Sequence, residues 1–307
     1  MIKPERKFMK NKPIRIIGIT LILIILFAAF LYAEENRAGE ENICLWKIES
    51  DSNTVYLMGS IHFLKEADYP LDGRYDRCFE DAENVVFELN FDSTQTPAFQ
   101  QYTVMKAFYP QGETFQSSVS DSTYTLVKNK LLELGLPIEK LNAFQPWFIA
   151  ITMLSLNLQE LGFDPKLGVD QHFFEQAKEE QKNIIGLETP EFQLDLLSTL
   201  GGEDQEDFII QTIDQFDDME STLIDLVDAW SNGDLEKLDE LLNKGFEEYP
   251  ELKQTLLIDR NYNWLDDVIE YTKDNEDYLI IVGSGHLAGE EGLIELLEAQ
   301  GYCVERF

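Results

Sequence analysis

Two short turns, Gly59-Ser60-Ile61-His62 and Gly283-Ser284-Gly285-His286, constrain this chain more than anything else in it. Each follows directly on an apolar, β-prone run, Val55-Tyr56-Leu57-Met58 in the first case and Tyr278-Leu279-Ile280-Ile281-Val282 in the second. Short apolar runs of that composition, bounded by glycine, predict buried strands. A glycine closing such a strand permits a sharp turn at φ values other residues resist, or a close approach of the backbone to another group. The imidazole three residues on then stands at the carboxyl end of the strand, where open α/β sheets form their ligand sites. The chain has three histidines, and two of them take these equivalent positions more than two hundred residues apart.

The remaining pattern predicts one α/β domain over residues 43–307. Ile43 to Ile48 and Thr54 to Met58 read as a hairpin around Asp51-Ser52-Asn53. A helix ending near Glu83 follows, then a compact strand, Val85-Val86-Phe87-Glu88-Leu89. From Pro97 to about Gln181 the pattern is helical, broken by glycine and proline. Ile184 to Leu187 is another short strand. Asp204 to Trp230 then carries an apolar stripe (Phe208, Thr212, Phe216, Met219, Leu223, Leu226, Trp230) at helical spacing, which predicts a core face. Further helices are expected over Leu235 to Phe246, Glu251 to Lys273 and Glu290 to Gln300, and a last strand over Tyr302 to Phe307. Strands at both ends with helices between them imply a mixed central β-sheet flanked by helices, with a helical insertion between the early and late strands.

Charge is the compositional outlier: 58 acidic and 24 basic residues give a formal net of −34. Six of the bases and one acid precede residue 33, so the rest of the chain carries −39. A domain that negative repels phosphate backbones, and nucleic-acid binding is disfavoured. The basic cluster leads into an apolar run, Ile16 to Ala33, interrupted only by Gly18 and Thr20. As a helix it would measure ~27 Å, just enough for a bilayer core. Residues 1–33 therefore read as a secretory signal or a single N-terminal membrane anchor, and residues 34–42 as a linker. The expected location is the cell membrane with the domain outside the cytoplasm, or secretion if the leader is cleaved. Cys44 and Cys303, in the expected first and last strands, could meet in an oxidising space; buried free thiols are the alternative.

The candidate chemistry sits on few residues. His62 and His286 are imidazoles from separate strand ends that together could hold one divalent ion. Glu88 interrupts an apolar strand, where an unpaired carboxylate is costly, so it faces water, pairs with a cation or binds a metal. Glu188 ends its strand similarly, or serves the helix opening at Pro190. Asp170, in Gly168-Val169-Asp170-Gln171-His172, reads first as a helix cap, with His172 not sharing its face. Arg260, in Arg260-Asn261-x-x-Trp264, is either a surface ion pair or a fixed positive fork for a carbonyl or carboxylate.

Taken in order, these motifs resemble the TraB/GumN family, whose relatives include the Tiki metalloproteases. The carriers are Tyr56 to His62, Tyr69-Pro70-Leu71, Phe87-Glu88-Leu89, Gly168-Val169-Asp170, Gly186-Leu187-Glu188-Thr189 with Gln193, Arg260-Asn261-x-x-Trp264 and Gly283 to Gly289. The resemblance implies a metal-dependent hydrolytic site at His62, Glu88, Arg260 and His286, and a peptide or protein substrate. On that basis His62, His286 and Glu88 would hold manganese, cobalt or zinc. Glu88 would be a ligand or activate water, and Arg260 would stabilise charge on the carbonyl oxygen. The rivals are a non-catalytic surface protein that captures or blocks a small peptide, as pheromone-shutdown members of the family suggest, and a scaffold whose histidines only steady loops.

Overall fold

The computed structural model describes residues 42–202, 204–247 and 249–307. The leader or anchor expected over residues 1–33, and nearly all of the linker, lie outside that range. Among the described residues no helix is long and apolar enough to cross a membrane.

Six strands form one sheet: β1 (Leu45–Glu49), β2 (Thr54–Ser60), β3 (Asn84–Leu89), β4 (Asn183–Glu188), β5 (Tyr278–Gly283) and β6 (Glu305–Arg306). Their order is β4-β3-β5-β2-β1-β6. β2, β5, β3 and β4 run parallel, whereas β1 pairs antiparallel with both β2 and β6. The sheet is mixed, as expected. All six positions of β5 are buried, and β2 is buried from Val55 onward. Both are apolar on either face because helices cover a parallel sheet on both sides. Since β5 lies between β2 and β3, the carboxyl ends of four parallel strands meet along one edge.

Helix α1 (Gly73–Asp81) joins β2 to β3. The helical insertion falls into two blocks. Between β3 and β4 run α2 (Pro97–Ala107), α3 (Asp121–Glu133), α4 (Pro146–Glu160) and α5 (Val169–Glu179). Between β4 and β5 run α6 (Pro190–Ser198), α7 (Gln205–Asp214), α8 (Phe216–Ser231), α9 (Leu235–Phe246) and α10 (Asp259–Tyr271). Helix α11 (Leu293–Ala299) follows β5. The stripe from Phe208 to Trp230 is buried throughout, as its spacing predicts. It is carried by two helices, however, because the chain breaks at Gln215 and restarts in phase at Phe216. A π-helical turn, Gln254–Ile258, precedes α10 where one continuous helix was expected. The last strand is shorter than expected, two residues against β1. Cys44 and Cys78 are buried and Cys303 is exposed, and all three are free thiols.

Candidate functional site

The four parallel strand ends bring together residues far apart in sequence. His62 lies two residues beyond β2, Glu88 and Glu188 lie near the ends of β3 and β4, and His286 ends the short turn Ser284–His286 after β5. Of the two roles expected of the glycines, the close backbone approach is present and the unusual φ is not. Gly59 and Gly283 are the last or nearly last residues of their strands, and neither has a positive φ. What Gly283 supplies is space. A methyl group on its Cα would stand 3.2 Å from Glu88 Oε1, 3.5 Å from His62 Nε2 and 3.7 Å from His286 Cδ2. The two rings and the carboxylate thus close around one backbone position, which also donates its N–H to Glu88 Oε1 at 2.8 Å.

Each imidazole is held from behind at Nδ1. Asp170 Oδ2 meets His62 Nδ1 at 2.8 Å, and Asn261 Oδ1 meets His286 Nδ1 at 2.7 Å. Asp170 is not the helix cap that its position suggests: Gly168 opens α5 without a side-chain cap. A side chain at Gly168 would strike the His62 carbonyl oxygen at 2.4 Å, and Val169 N–H donates to Ile61 O at 2.9 Å. This backbone contact between the start of α5 and the residues after β2 sets Asp170 against the His62 ring. Asp170 Oδ1 is buried without a hydrogen-bond partner among the described residues.

Arg260 joins both halves. Its Nε donates to Glu188 Oε1 (2.9 Å), and its Nη2 donates to Glu188 Oε2 (2.9 Å) and Glu88 Oε2 (2.6 Å). Its Nη1 donates to Leu256 O and to His286 Nε2, both at 3.0 Å. All five guanidinium N–H groups are therefore occupied. Trp264, one turn on, donates Nε1 to Glu188 Oε1 at 3.0 Å, and Gln193 Nε2 lies 3.3 Å from Glu88 and 3.1 Å from Glu188. Glu188 is not a helix cap either, since Thr189 accepts from Phe192 N–H in that role. Of the two readings of Arg260, the surface ion pair does not match this geometry and the fixed fork that holds a carboxylate does, the carboxylates being the protein's own Glu88 and Glu188. The residue is 2% exposed and is in contact with Glu88 and His286. His172 stays apart, bonded to Gln176 Nε2 at 2.6 Å and packed on Tyr69.

Burial opposes ionisation of Glu88, but Arg260, the two histidines and the Gly283 N–H together outweigh it and hold the carboxyl well below the ordinary range. His286 is pushed down to about 3 by burial and then by Arg260, which leaves it neutral with Nε2 as an acceptor. Burial also works against protonated His62, yet Asp170 and Glu88 together push it up to about 9.

The donor chemistry fits a divalent ion. One carboxylate and two imidazoles, each imidazole backed at Nδ1 by an oxygen acceptor, is a composition that first-row metals favour. His286 Nε2 stands 3.8 Å from Glu88 Oε1 but is already held by Arg260. Among the described residues no three of His, Cys, Asp and Glu are set in ligating positions. An ion at His286 Nε2 would have to displace the guanidinium of Arg260.

A cavity of about 200 Å³ opens on this edge, with His62, Glu88 and Asp170 in its wall. His286 and Arg260 lie behind them, buried. The sequence singled out Asn261 and Trp264 only as part of the Arg260 motif, with no role of their own, and it carried no sign of the pairing of Asp170 with His62. Helical spacing links Arg260 to Trp264; nothing in the sequence links Asp170 to a residue 108 positions earlier.

The chain is 24% identical over 242 residues to the "Uncharacterized protein YbaP" of Escherichia coli (strain K12), which covers 79% of this chain and 87% of that protein. The YbaP of Shigella flexneri matches to the same extent. No solved structure matches. The TraB/PrgY/gumN family model matches residues 44–306, the whole sheet and both helical blocks, and the chain belongs to that family.

Proposed function

We propose that this domain is a metal-dependent hydrolase acting on peptide bonds. The observation that carries the proposal is the convergence of His62 and His286 on Glu88, each ring oriented by its own acceptor. His62, His286 and Glu88 would hold the ion, which when bound supplies Lewis acidity at neutral pH. Glu88 is kept ionised by Arg260 and fixed by the Gly283 N–H. Asp170 fixes the His62 ring so that Nε2 faces Gly283 and Glu88. Arg260 is a positioning residue: it sets the Glu88 carboxylate and the His286 ring relative to each other and to Glu188. Gln193 bridges the two carboxylates at the cavity wall. The basic and apolar composition of residues 1–33 supports a location outside the cytoplasmic membrane, by an anchor or a cleaved leader.

One observation favours a rival. The saturated guanidinium network makes a closed site, which suits a protein that captures a peptide without cleaving it. Full-length protein purified in detergent, stripped with chelator and incubated with a mixed peptide pool, separates the two. A hydrolase shows no turnover when stripped and recovers it with added manganese, cobalt or zinc, and His62→Ala or His286→Ala abolishes the recovery. Peptide binding with no cleavage under any metal supports capture.

A further inference from the structure

The cavity beside His62 and Glu88 has a composition that the reactive groups do not explain. Phe63, Phe87, Leu89, Phe91 and Ile281 form its apolar wall, and among the described residues no lysine or arginine lines it. Four of these five are 9% exposed or less, so the wall is built from buried side chains. The volume is about 200 Å³. An engineered apolar cavity of about 150 Å³ takes up benzene, whereas whole drug-sized ligands need at least about 300 Å³. The space therefore matches one aromatic or branched aliphatic side chain. Glu88 is engaged by Arg260 and the Gly283 N–H, and Asp170 Oδ2 by His62, while Asp170 Oδ1, which has no partner among the described residues, is buried, so an incoming ammonium would meet no free carboxylate oxygen at the cavity surface. Ser60 lines the same cavity at 2% exposure, and its Oγ has no hydrogen-bond partner among the described residues. A buried hydroxyl left unpaired calls for a partner that the bound state provides.

We infer that this cavity is a specificity subsite, taking one large apolar side chain of the phenylalanine or leucine class next to the bond presented to His62 and Glu88. The part of this inference that concerns cleavage rests on the hydrolytic reading; the preference for the side chain does not. Ser60 Oγ pairs with a backbone amide of the same substrate residue.

The test is equilibrium binding to the full-length protein in detergent, read by saturation-transfer NMR. The probes are N-acetyl-phenylalanine methylamide and its alanine and lysine counterparts. The phenylalanine probe is expected to bind at least about tenfold tighter than the alanine probe, the low end for even one methylene in an apolar pocket. Gln171→Trp, at a half-exposed wall position on α5, fills the space and removes the preference. Phe91→Ala widens it and shifts the preference towards a naphthylalanine probe. Equal binding of the three probes, tightest binding of lysine, no binding at all, or a preference untouched by Gln171→Trp would each overturn the subsite. Selective binding without cleavage of any peptide leaves the subsite standing and removes the hydrolase. Cleavage with no side-chain preference does the reverse.

Discussion

Replacing Arg260 by methionine removes one cation from between two carboxylates while keeping an unbranched side chain of similar length. Glu88 and Glu188 have side chains only 14% and 6% exposed, and Arg260 contacts them at 2.6 and 2.9 Å. Breaking a buried pair by deleting one partner costs about 3–5 kcal/mol, because the remaining charge is left uncompensated. Here each carboxylate keeps other donors, Glu88 the Gly283 N–H and Glu188 the Trp264 indole, and both share Gln193. The cost should therefore lie near the lower end, about 3 kcal/mol, a large share of the roughly 5–15 kcal/mol typical of a folded domain. Urea unfolding followed by tryptophan fluorescence measures it. Adding Glu188→Gln to Arg260→Met removes one stranded charge and should recover part of the loss, a coupling of about 0.5–3 kcal/mol between contacting sites. Lys237→Met, at an exposed ion pair with Glu240, serves as control and should leave the midpoint unchanged. A loss for Arg260→Met below about 1 kcal/mol, or a double variant less stable than the single, would refute the argument that this guanidinium neutralises two buried acids.

Three further outcomes are expected. Asp170→Asn should leave the fold intact but weaken cobalt binding about 10–100-fold, the usual effect of altering the group behind a ligating imidazole, as measured by titration calorimetry. Gly168→Ala should lower stability by about 1–3 kcal/mol in thermal unfolding, because the obstructing atom is the His62 backbone carbonyl, which has little room to give. Burial pushes the Cys44 and Cys78 thiols up to about 12, so in native protein at pH 8 a thiol reagent should modify Cys303 quickly and the other two only on unfolding. Two rapidly reacting thiols per chain would contradict the buried placement of Cys44 and Cys78.

The strand-glycine-histidine pattern carried most of what the sequence could reveal. It located the ends of β2 and β5, and Glu88 stood out as an acid in an apolar strand. Chain order could not show that β5 inserts between β2 and β3, because register and strand order depend on helices packed across the whole sheet. Asp170 and Glu188 were obscured by a local alternative: an acid next to a helix start already has a sufficient explanation in the helix dipole. Arg260 lies among so many acids that a surface ion pair accounted for it, and only tertiary packing turns it inward onto Glu88 and Glu188. The break at Gln215 was invisible for a different reason, since Phe216 continues the apolar spacing of Phe208 and Thr212 without a shift.

Cobalt stoichiometry of the full-length protein after equilibrium dialysis, compared with His62→Ala, His286→Ala and Glu88→Gln, addresses the shared site most directly. One ion per wild-type chain, lost in each of the three variants with folding preserved, is the result that convergence around Gly283 requires. Retention of a full ion in any two of the variants would mean that these side chains do not act as one ligand set.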